Sequence, residues 1–96
     1  MDIICRVIEQ GTVQEREFTN QQGQREKFAT MPFVLYSGGD TFFAEMVQDQ
    51  ARKQAALSIG NTYYRATLQC TARPWQDQQQ QKRWENRLVM TKICEL

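Results

Sequence analysis

Apolar and polar residues alternate along most of the chain, which is the pattern of half-buried β-strands. The first alternation starts at Ile3 with β-branched residues and is interrupted at Gly11, where a bulge or a bend is expected. Pro32 falls inside the second alternation, and because proline donates no backbone hydrogen bond, that strand should lie at an edge or be bulged there. The alternation predicts five strands, at residues 3–19 with the break at Gly11, 27–36, 41–47, 62–73 and 87–96.

One segment has the composition and periodicity of a helix instead of a strand. Residues 49–58 are rich in Ala, Gln, Lys and Arg, which are good helix formers. Apolar residues four apart form one stripe through it: Val47, Ala51, Ala55 and Ile59. Gly60 follows as a left-handed cap, so a helix of about three turns is expected.

Turn-prone polar residues separate the strands at 20–24, 37–40 and 76–81. The resulting order is β-β-β-α-β-β, with the helix between the third and fourth strands. That is the order of the five-stranded OB-fold barrel. The sequence therefore predicts an all-β domain with one short helix, spanning residues 1–96 as a single unit.

Charge and cysteine content narrow the function classes. The net charge is only +1, but from residue 62 onward six basic residues face three acidic ones. Cys5, Cys70 and Cys94 are odd in number and widely spaced, so we expect no disulfide framework, and Cys5 and Cys70 are interpreted as core residues. With no secretion signal and no long apolar run, a soluble cytoplasmic protein is expected.

The residue types needed for common catalytic chemistry are missing. The chain has no histidine, no phosphate-binding glycine motif and no clear pair of carboxylates. Three cysteines without histidine do not make an ordinary zinc site. We therefore expect no enzymatic activity, no metal and no cofactor.

The last third of the chain resembles the bacterial and phage single-stranded-DNA-binding protein family. Gly60-Asn61-Thr62-Tyr63-Tyr64 is similar to the family's lysine-glycine-serine start of the fourth strand. Leu68 through Arg73-Pro74-Trp75 is similar to its leucine-arginine-x-arginine-x-tryptophan strand end, and Gln76-Asp77-Gln78 to its polar hairpin tip. Arg83-Trp84 followed by Leu88-Val89 resembles its arginine-tyrosine, then valine-rich, fifth strand.

The resemblance extends upstream and covers nearly the whole chain. Arg16-Glu17-Phe18-Thr19 before Gly23 resembles the family's arginine-tyrosine-threonine loop, and Phe28-Ala29-Thr30 its second strand. The family's asparagine-rich opening strand is replaced by Asp2-Ile3-Ile4-Cys5, and its long acidic-tipped tail has no counterpart after Leu96. A compact, tailless form of bacterial, phage or mobile-element origin is therefore expected.

What the resemblance implies is binding of single-stranded DNA, with RNA as a further possible ligand, during replication, recombination or DNA transfer. Such binding needs aromatic faces for bases, at ~1–3 kcal/mol per base, and cations for phosphates. The aromatic candidates are Phe18, Phe33, Tyr36, Phe43, Trp75 and Trp84. The phosphate-binding candidates are Arg6, Arg16, Arg25, Lys27, Arg65, Arg73, Lys82 and Arg83.

Structural interpretations stand beside the functional ones. Trp75 either stacks on bases or plugs an end of the barrel, and Trp84 either contacts DNA or pairs with Trp75 across the hairpin. Phe33 is either a stacking residue or, as for most phenylalanines, part of the core. Arg52 and Lys53 on the helix are interpreted as solvated.

Two statements about partners remain open. A protein–protein adaptor of the same fold, which binds no nucleic acid, is the alternative function. A homodimer or higher homo-oligomer is expected, because residues 1–8 or the strand containing Pro32 offer edges that a second copy can pair with.

Overall fold

The structure is a computed structural model that describes all 96 residues, most of them in β-strands. Its elements are β1 (Asp2–Gln10), β2 (Gln14–Thr19), β3 (Arg25–Ser37), β4 (Asp40–Val47), α1 (Gln48–Lys53), β5 (Tyr63–Gln76) and β6 (Lys82–Glu95). The prediction of a mostly-β chain with one short helix is confirmed. The structure has no helix with the length and apolarity to cross a membrane.

Five strands form a closed sheet. Their order around it is β1-β5-β6-β4-β3, and β3 returns to β1. All neighbouring pairs are antiparallel except β4 and β6, which meet in parallel at Glu45 and Val89. The sixth strand, β2, pairs only with β3.

The break between β1 and β2 occurs at the residue where the sequence predicted it. β3 pairs with β1 around Phe33–Tyr36 and with β2 up to Thr30, and Pro32 lies between the two ladders. The Gly11 N–H donates to the Pro32 carbonyl oxygen at 2.8 Å. The ladder on one side of β3 is therefore interrupted at Pro32, as the sequence predicted. The alternative prediction of an edge strand is wrong, because β3 pairs with β4 on its other side.

The expected dimer edges are largely occupied within the chain. β1 pairs with β5 through residues 2–6 and with β3 through residues 6–10, and β3 has neighbours on both sides of Pro32. Edges without a strand partner are the side of residues 2–5 that faces away from β5, the outer edge of β2 and the far ends of β5 and β6. The edge argument is therefore wrong for the strand containing Pro32 and holds for a short part of β1, while the oligomer itself stays a prediction.

The core is small and consists of alternate residues on the inner side of the closed sheet together with Ala51 of α1. Thirteen residues are buried, with none polar or charged among them. They are Cys5, Val7, Ala29, Met31, Phe33, Leu35, Ala44, Met46, Ala51, Tyr64, Ala66, Leu68 and Met90. The period-two pattern thus identified each strand, but the predicted ranges 62–73 and 87–96 are too short, because β5 continues to Gln76 and β6 begins at Lys82. The pairing decides which side of each strand faces inward.

The helix is shorter than the sequence predicted. It ends at Lys53, and Gln54 is already extended, with φ −71° and ψ 122°. Of the predicted stripe only Ala51 is buried, whereas Ala55 and Ile59 are exposed. The prediction of three turns is wrong because the following segment is held by other parts of the fold.

Hydrogen bonds from distant residues hold residues 55–58 in the extended conformation. The Gln10 side chain donates to the Ala55 carbonyl oxygen at 3.1 Å and accepts from the Leu57 N–H at 2.8 Å. The Ser58 N–H donates to the Tyr64 hydroxyl oxygen at 3.0 Å. Gly60 has a positive φ of 99°, yet its N–H donates to the Val7 carbonyl oxygen, so it does not cap the helix. Because an isolated short helix is marginal in water, these long-range bonds decide the conformation.

The cysteines divide between core and surface. Cys5 is buried, and burial raises the pKa of its thiol. Cys70 is exposed, as is Cys94, so the core interpretation of Cys70 is wrong. Cys70 has inward parity but lies beyond Leu68, the last buried residue of β5.

Candidate nucleic-acid interface

A guanidinium group lies between two aromatic rings on the outer face of the sheet. Arg6 is opposite Tyr36 of β3 and opposite Tyr63 of β5, so the three side chains form one row across three strands. The Arg6 Cζ atom is 4.9 Å from the centroid of the Tyr36 ring and 6.0 Å from that of Tyr63. Both distances are within the range of cation–π contacts. Sequence reasoning missed Tyr63, although an aromatic residue on the polar side of an alternating strand is a usable signal.

Phe43 is the most exposed phenylalanine of the sheet. It is 60% exposed and lies opposite Val34 on the outer face. Beside it is a shallow hollow of about 190 Å³, lined by Glu9, Gly11, Pro32, Phe33, Val34 and Phe43. A phenylalanine in this position adds little to folding, because its ring is outside the core.

Phe33 does not belong to this surface. Its ring is fully buried, with 0% of the residue exposed, between the inner sides of β3 and its neighbours. Stacking on a base would require the ring to leave the core. The candidate set is corrected at this position, and the core interpretation is the right one.

The β2–β3 hairpin separates its candidates onto two faces. Arg16 pairs with Phe28 and Phe18 with Glu26, whereas Lys27 and Arg25 point to the other face. Phe18 is 43% exposed. The Asn20 side-chain oxygen accepts from the N–H groups of residues 22 and 24 at 2.9 Å each, and this Asx turn fixes the hairpin tip.

Beyond the closed sheet, β5 and β6 continue as a two-stranded ribbon, defined here as residues 69–76 and 82–88. Within it, residues 69–76 and 82–86 are all exposed, because β1 pairs with β5 only up to Thr67 and β4 meets β6 only at Val89. Trp75 is opposite Arg83, and Trp84 is opposite Pro74.

The two tryptophans therefore point to opposite faces of the ribbon. Trp75 is 47% exposed and Trp84 is 61% exposed. Neither indole plugs the end of the closed sheet, and the register excludes a cross-strand pair between them. The plug role of Trp75 and the pairing of Trp84 with Trp75 are therefore both wrong. Contact with a ligand stays a prediction for each tryptophan.

Cations of the ribbon have different partners. The Arg83 Nε atom donates to Asp77 Oδ2 at 3.0 Å, so this guanidinium is already neutralised at the hairpin tip. Arg73 is directly opposite Glu85. The Lys82 ammonium nitrogen lies 4.7 Å from the centroid of the Trp84 ring and forms no ion pair. An exposed cation–π contact of this kind contributes ~0.5–1 kcal/mol.

Asp77 organises the tip of the ribbon. Its Oδ1 atom accepts from the N–H groups of Gln79 at 2.9 Å and Gln81 at 3.0 Å, while Oδ2 binds Arg83. These bonds lower the pKa of the Asp77 carboxyl group, first the bond from the Gln81 N–H, then that from Arg83, and least that from the Gln79 N–H. Gln80 takes the left-handed conformation at φ 61° within the same turn.

The helix contributes more than a solvated surface. The Arg52 Nε atom donates to Glu15 Oε1 of β2 at 2.8 Å, and its Nη1 atom to Asp49 Oδ1 at 3.1 Å. The bond from Arg52 lowers the pKa of the Glu15 carboxyl group and raises that of Arg52 itself. The interpretation of Arg52 as merely solvated is therefore wrong, because Arg52 ties α1 to β2.

Most basic side chains of the molecule have no acidic partner. Only Arg52, Arg83 and Arg87 among the twelve basic residues form ion pairs; Arg87 binds Glu45 at 3.4 Å. Arg65 is on the outer face opposite Ile4, one row from Arg6. No group of three His, Cys, Asp or Glu side chains is placed to hold a metal ion. What the surface offers chemically is flat rings and cations.

Comparisons with protein-family models, curated proteins and solved structures found no match to this chain.

Proposed function

We propose that this chain is an OB-fold member of the single-stranded-DNA-binding protein family, which binds its ligand without regard to sequence and catalyses nothing. The strand order supports the fold. If β1 and β2 are counted as one strand interrupted at Gly11, five strands close the sheet, with the helix between the third and the fourth. Action in the cytoplasm, for a protein of bacterial, phage or mobile-element origin, and without a cofactor, is part of the same proposal.

The observation that carries the proposal is a set of partly or largely exposed flat side chains next to cations without ion-pair partners. Tyr36, Arg6 and Tyr63 form a continuous row, and Phe43 is exposed on the same outer side of the sheet. Aromatic and guanidinium faces both stack on unpaired bases, and stacking tolerates every base. Arg16 and Phe18 extend the surface toward the β2–β3 hairpin, and the ribbon extends it at the other side.

The direct test is a binding titration with a labelled oligo-dT followed by fluorescence anisotropy. We expect saturable binding at low salt whose affinity falls as salt rises, by about 0.7 log units per log unit of salt for each phosphate contact. Absence of binding at low salt contradicts the proposal. The same titration with oligo-U compares RNA with DNA.

A matched pair of variants tests the location. Phe43→Ala should weaken oligo-dT binding about 5- to 100-fold, the equivalent of losing one stacked base. Ile59→Ala removes a similarly exposed apolar side chain in the segment between α1 and β5, where Ile59 forms an isolated bridge with Val7, and should leave the affinity unchanged. Equal affinities of the two variants for oligo-dT would show that Phe43 does not contact the ligand.

The adaptor alternative is favoured by one observation, namely the exposed Ile4 and Ile8 on β1. An adaptor surface of this kind would be dry and insensitive to oligonucleotide. A homodimer is retained in the proposal, with the open outer edge of β2 in place of the edges expected from sequence. Gel filtration with and without oligo-dT measures the oligomeric state.

A further inference from the structure

The two faces of the β5–β6 ribbon differ in charge. The face continuous with the outer side of the sheet carries Gln69, Thr71, Arg73, Trp75, Arg83, Glu85 and Arg87. Its charges are largely balanced, since Arg83 binds Asp77, Arg87 binds Glu45, and Arg73 is opposite Glu85. A phosphate approaching Trp75 must therefore compete with carboxylates that are already in place.

The opposite face has another composition. It carries Cys70, Ala72, Pro74, Gln76, Lys82, Trp84, Asn86 and Leu88. Lys82 is the only charged residue of this face, which carries no carboxylate. This face continues the inner side of the closed sheet, where Leu88 packs against the core. It is thus a largely apolar strip, with Gln76 and Asn86 as its uncharged polar residues and one cation at its outer end.

We propose that this core-side face of the ribbon is a second base-stacking platform, separate from the outer-face row of Tyr36, Arg6 and Tyr63, with Trp84 as the ring on which the base stacks. The inference rests on the function proposed above. In the free protein the Lys82 ammonium covers the Trp84 ring at 4.7 Å. A base stacks more strongly on indole than an exposed ammonium does, so it displaces Lys82, which then pairs with the adjoining phosphate.

The surroundings of Trp84 suit such an exchange. Pro74 lies directly across the ribbon and supports the indole with a rigid apolar ring. A shallow hollow of about 380 Å³ beside Lys82 is lined by Pro74, Trp75, Gln76 and Lys82, and gives the displaced side chain and the strand room to move. Trp84 is also the more exposed of the two tryptophans, at 61% against 47%.

Two single-tryptophan proteins test the assignment. Trp75→Leu leaves Trp84 as the only indole, and Trp84→Leu leaves Trp75. On titration with oligo-dT, the Trp75→Leu protein should still bind and should show strong quenching of Trp84 emission. The Trp84→Leu protein should lose affinity about 5- to 100-fold by anisotropy. Far-UV circular dichroism and the unfolding midpoint verify that both variants fold.

The outcomes separate this inference from the function. If wild-type protein binds oligo-dT while Trp84 emission stays constant and Trp75 emission is quenched, the inference is overturned and the function stands. If wild-type protein does not bind, the function fails and the inference with it. If the Trp84 emission shifts with protein concentration in the absence of oligo-dT, the strip binds a second copy of the chain, and the inference is also overturned. Because quenching is read in the Trp75→Leu protein, misfolding of Trp84→Leu does not obscure the result.

The role of Lys82 has its own control. In the Trp75→Leu background, Lys82→Gln should change the emission of free Trp84 and reduce the salt dependence of binding by about 0.7 log units per log unit. Lys53→Gln removes an exposed lysine at the end of α1 and should change neither quantity. An unchanged salt dependence in the Lys82→Gln protein contradicts the transfer of Lys82 to a phosphate.

Discussion

At the scale of single residues, the contact between Gly11 and Pro32 shapes the first part of the fold. A Cβ atom added at Gly11 would lie 2.5 Å from Pro32 Cγ and 3.0 Å from Cδ. The hydrogen bond from Gly11 N–H to the Pro32 carbonyl oxygen holds the two residues together. Since the pyrrolidine ring is rigid and sits inside the sheet, neither side can give way cheaply.

We therefore expect Gly11→Ala to destabilise the protein by about 1–3 kcal/mol in urea unfolding. Pro32→Ala removes the ring, so the cost of Gly11→Ala should fall in that background, with a coupling of about 1 kcal/mol or more in a double-mutant cycle. Additive effects of the two substitutions would show that the contact is not the cause.

At the scale of elements, both hairpins that flank the candidate surface are closed by side-chain turns. Asn20 closes the β2–β3 tip and Asp77 closes the β5–β6 tip, each through two bonds to backbone N–H groups. The two turns differ in the charge of the closing residue. Asp77 ionises and also binds Arg83, so the order of the ribbon tip depends on the protonation of Asp77 itself. Asn20 does not ionise, and its amide donates to Glu26 Oε1 at 3.0 Å.

The pH dependence of the ribbon tip follows from the lowered pKa of Asp77. A carboxyl group whose pKa is lower in the folded than in the unfolded chain stabilises the fold above its unfolded value, about 3.9, and that contribution is lost as pH falls through the folded pKa. We expect the amide signals of Gln79 and Gln81 to shift in an NMR titration only below about pH 4.

Asp77→Asn is the control for this titration, because it keeps an acceptor oxygen but cannot ionise. Its amide signals at residues 79 and 81 should show no comparable acidic step. An Asp77 carboxyl group that titrates at or above its ordinary value would contradict the assignment of the turn.

In the segment after α1, tertiary hydrogen bonds override the local preference for a helix. Its composition favours three turns, but Gln10 and Tyr64 bind the backbone of residues 55–58 in an extended path. These partners are more than five residues away along the chain, and in the case of Gln10 more than forty. Local propensity could not reveal them.

At the scale of the whole molecule, a small apolar core closes the sheet. Leu68 of β5 and Met90 of β6 are fully buried and directly opposite each other, next to the point where β6 meets β4. Thirteen buried residues are few for a chain of this length, so each carries a large share of the stability.

Leu68→Ala should accordingly cost about 2–5 kcal/mol of unfolding free energy. Leu96→Ala makes the same chemical change at a residue that is 64% exposed, and should cost about 0.5 kcal/mol or less. Thermal or urea unfolding of both variants measures the difference. Similar costs would mean that the sheet is not closed around Leu68.

The amino-acid sequence alone determined the strands, the turns between them, the break at Gly11 and the position of the lone helix. Period-two alternation and turn residues are local signals, and they need no knowledge of partners. Only the tertiary structure decided which face of each strand is inside, that Phe33 is buried while Cys70 is exposed, and that Trp75 and Trp84 point apart. The physical reason is that alternation persists where a strand runs beyond the closed sheet, so burial depends on the neighbouring strands and not on the pattern itself.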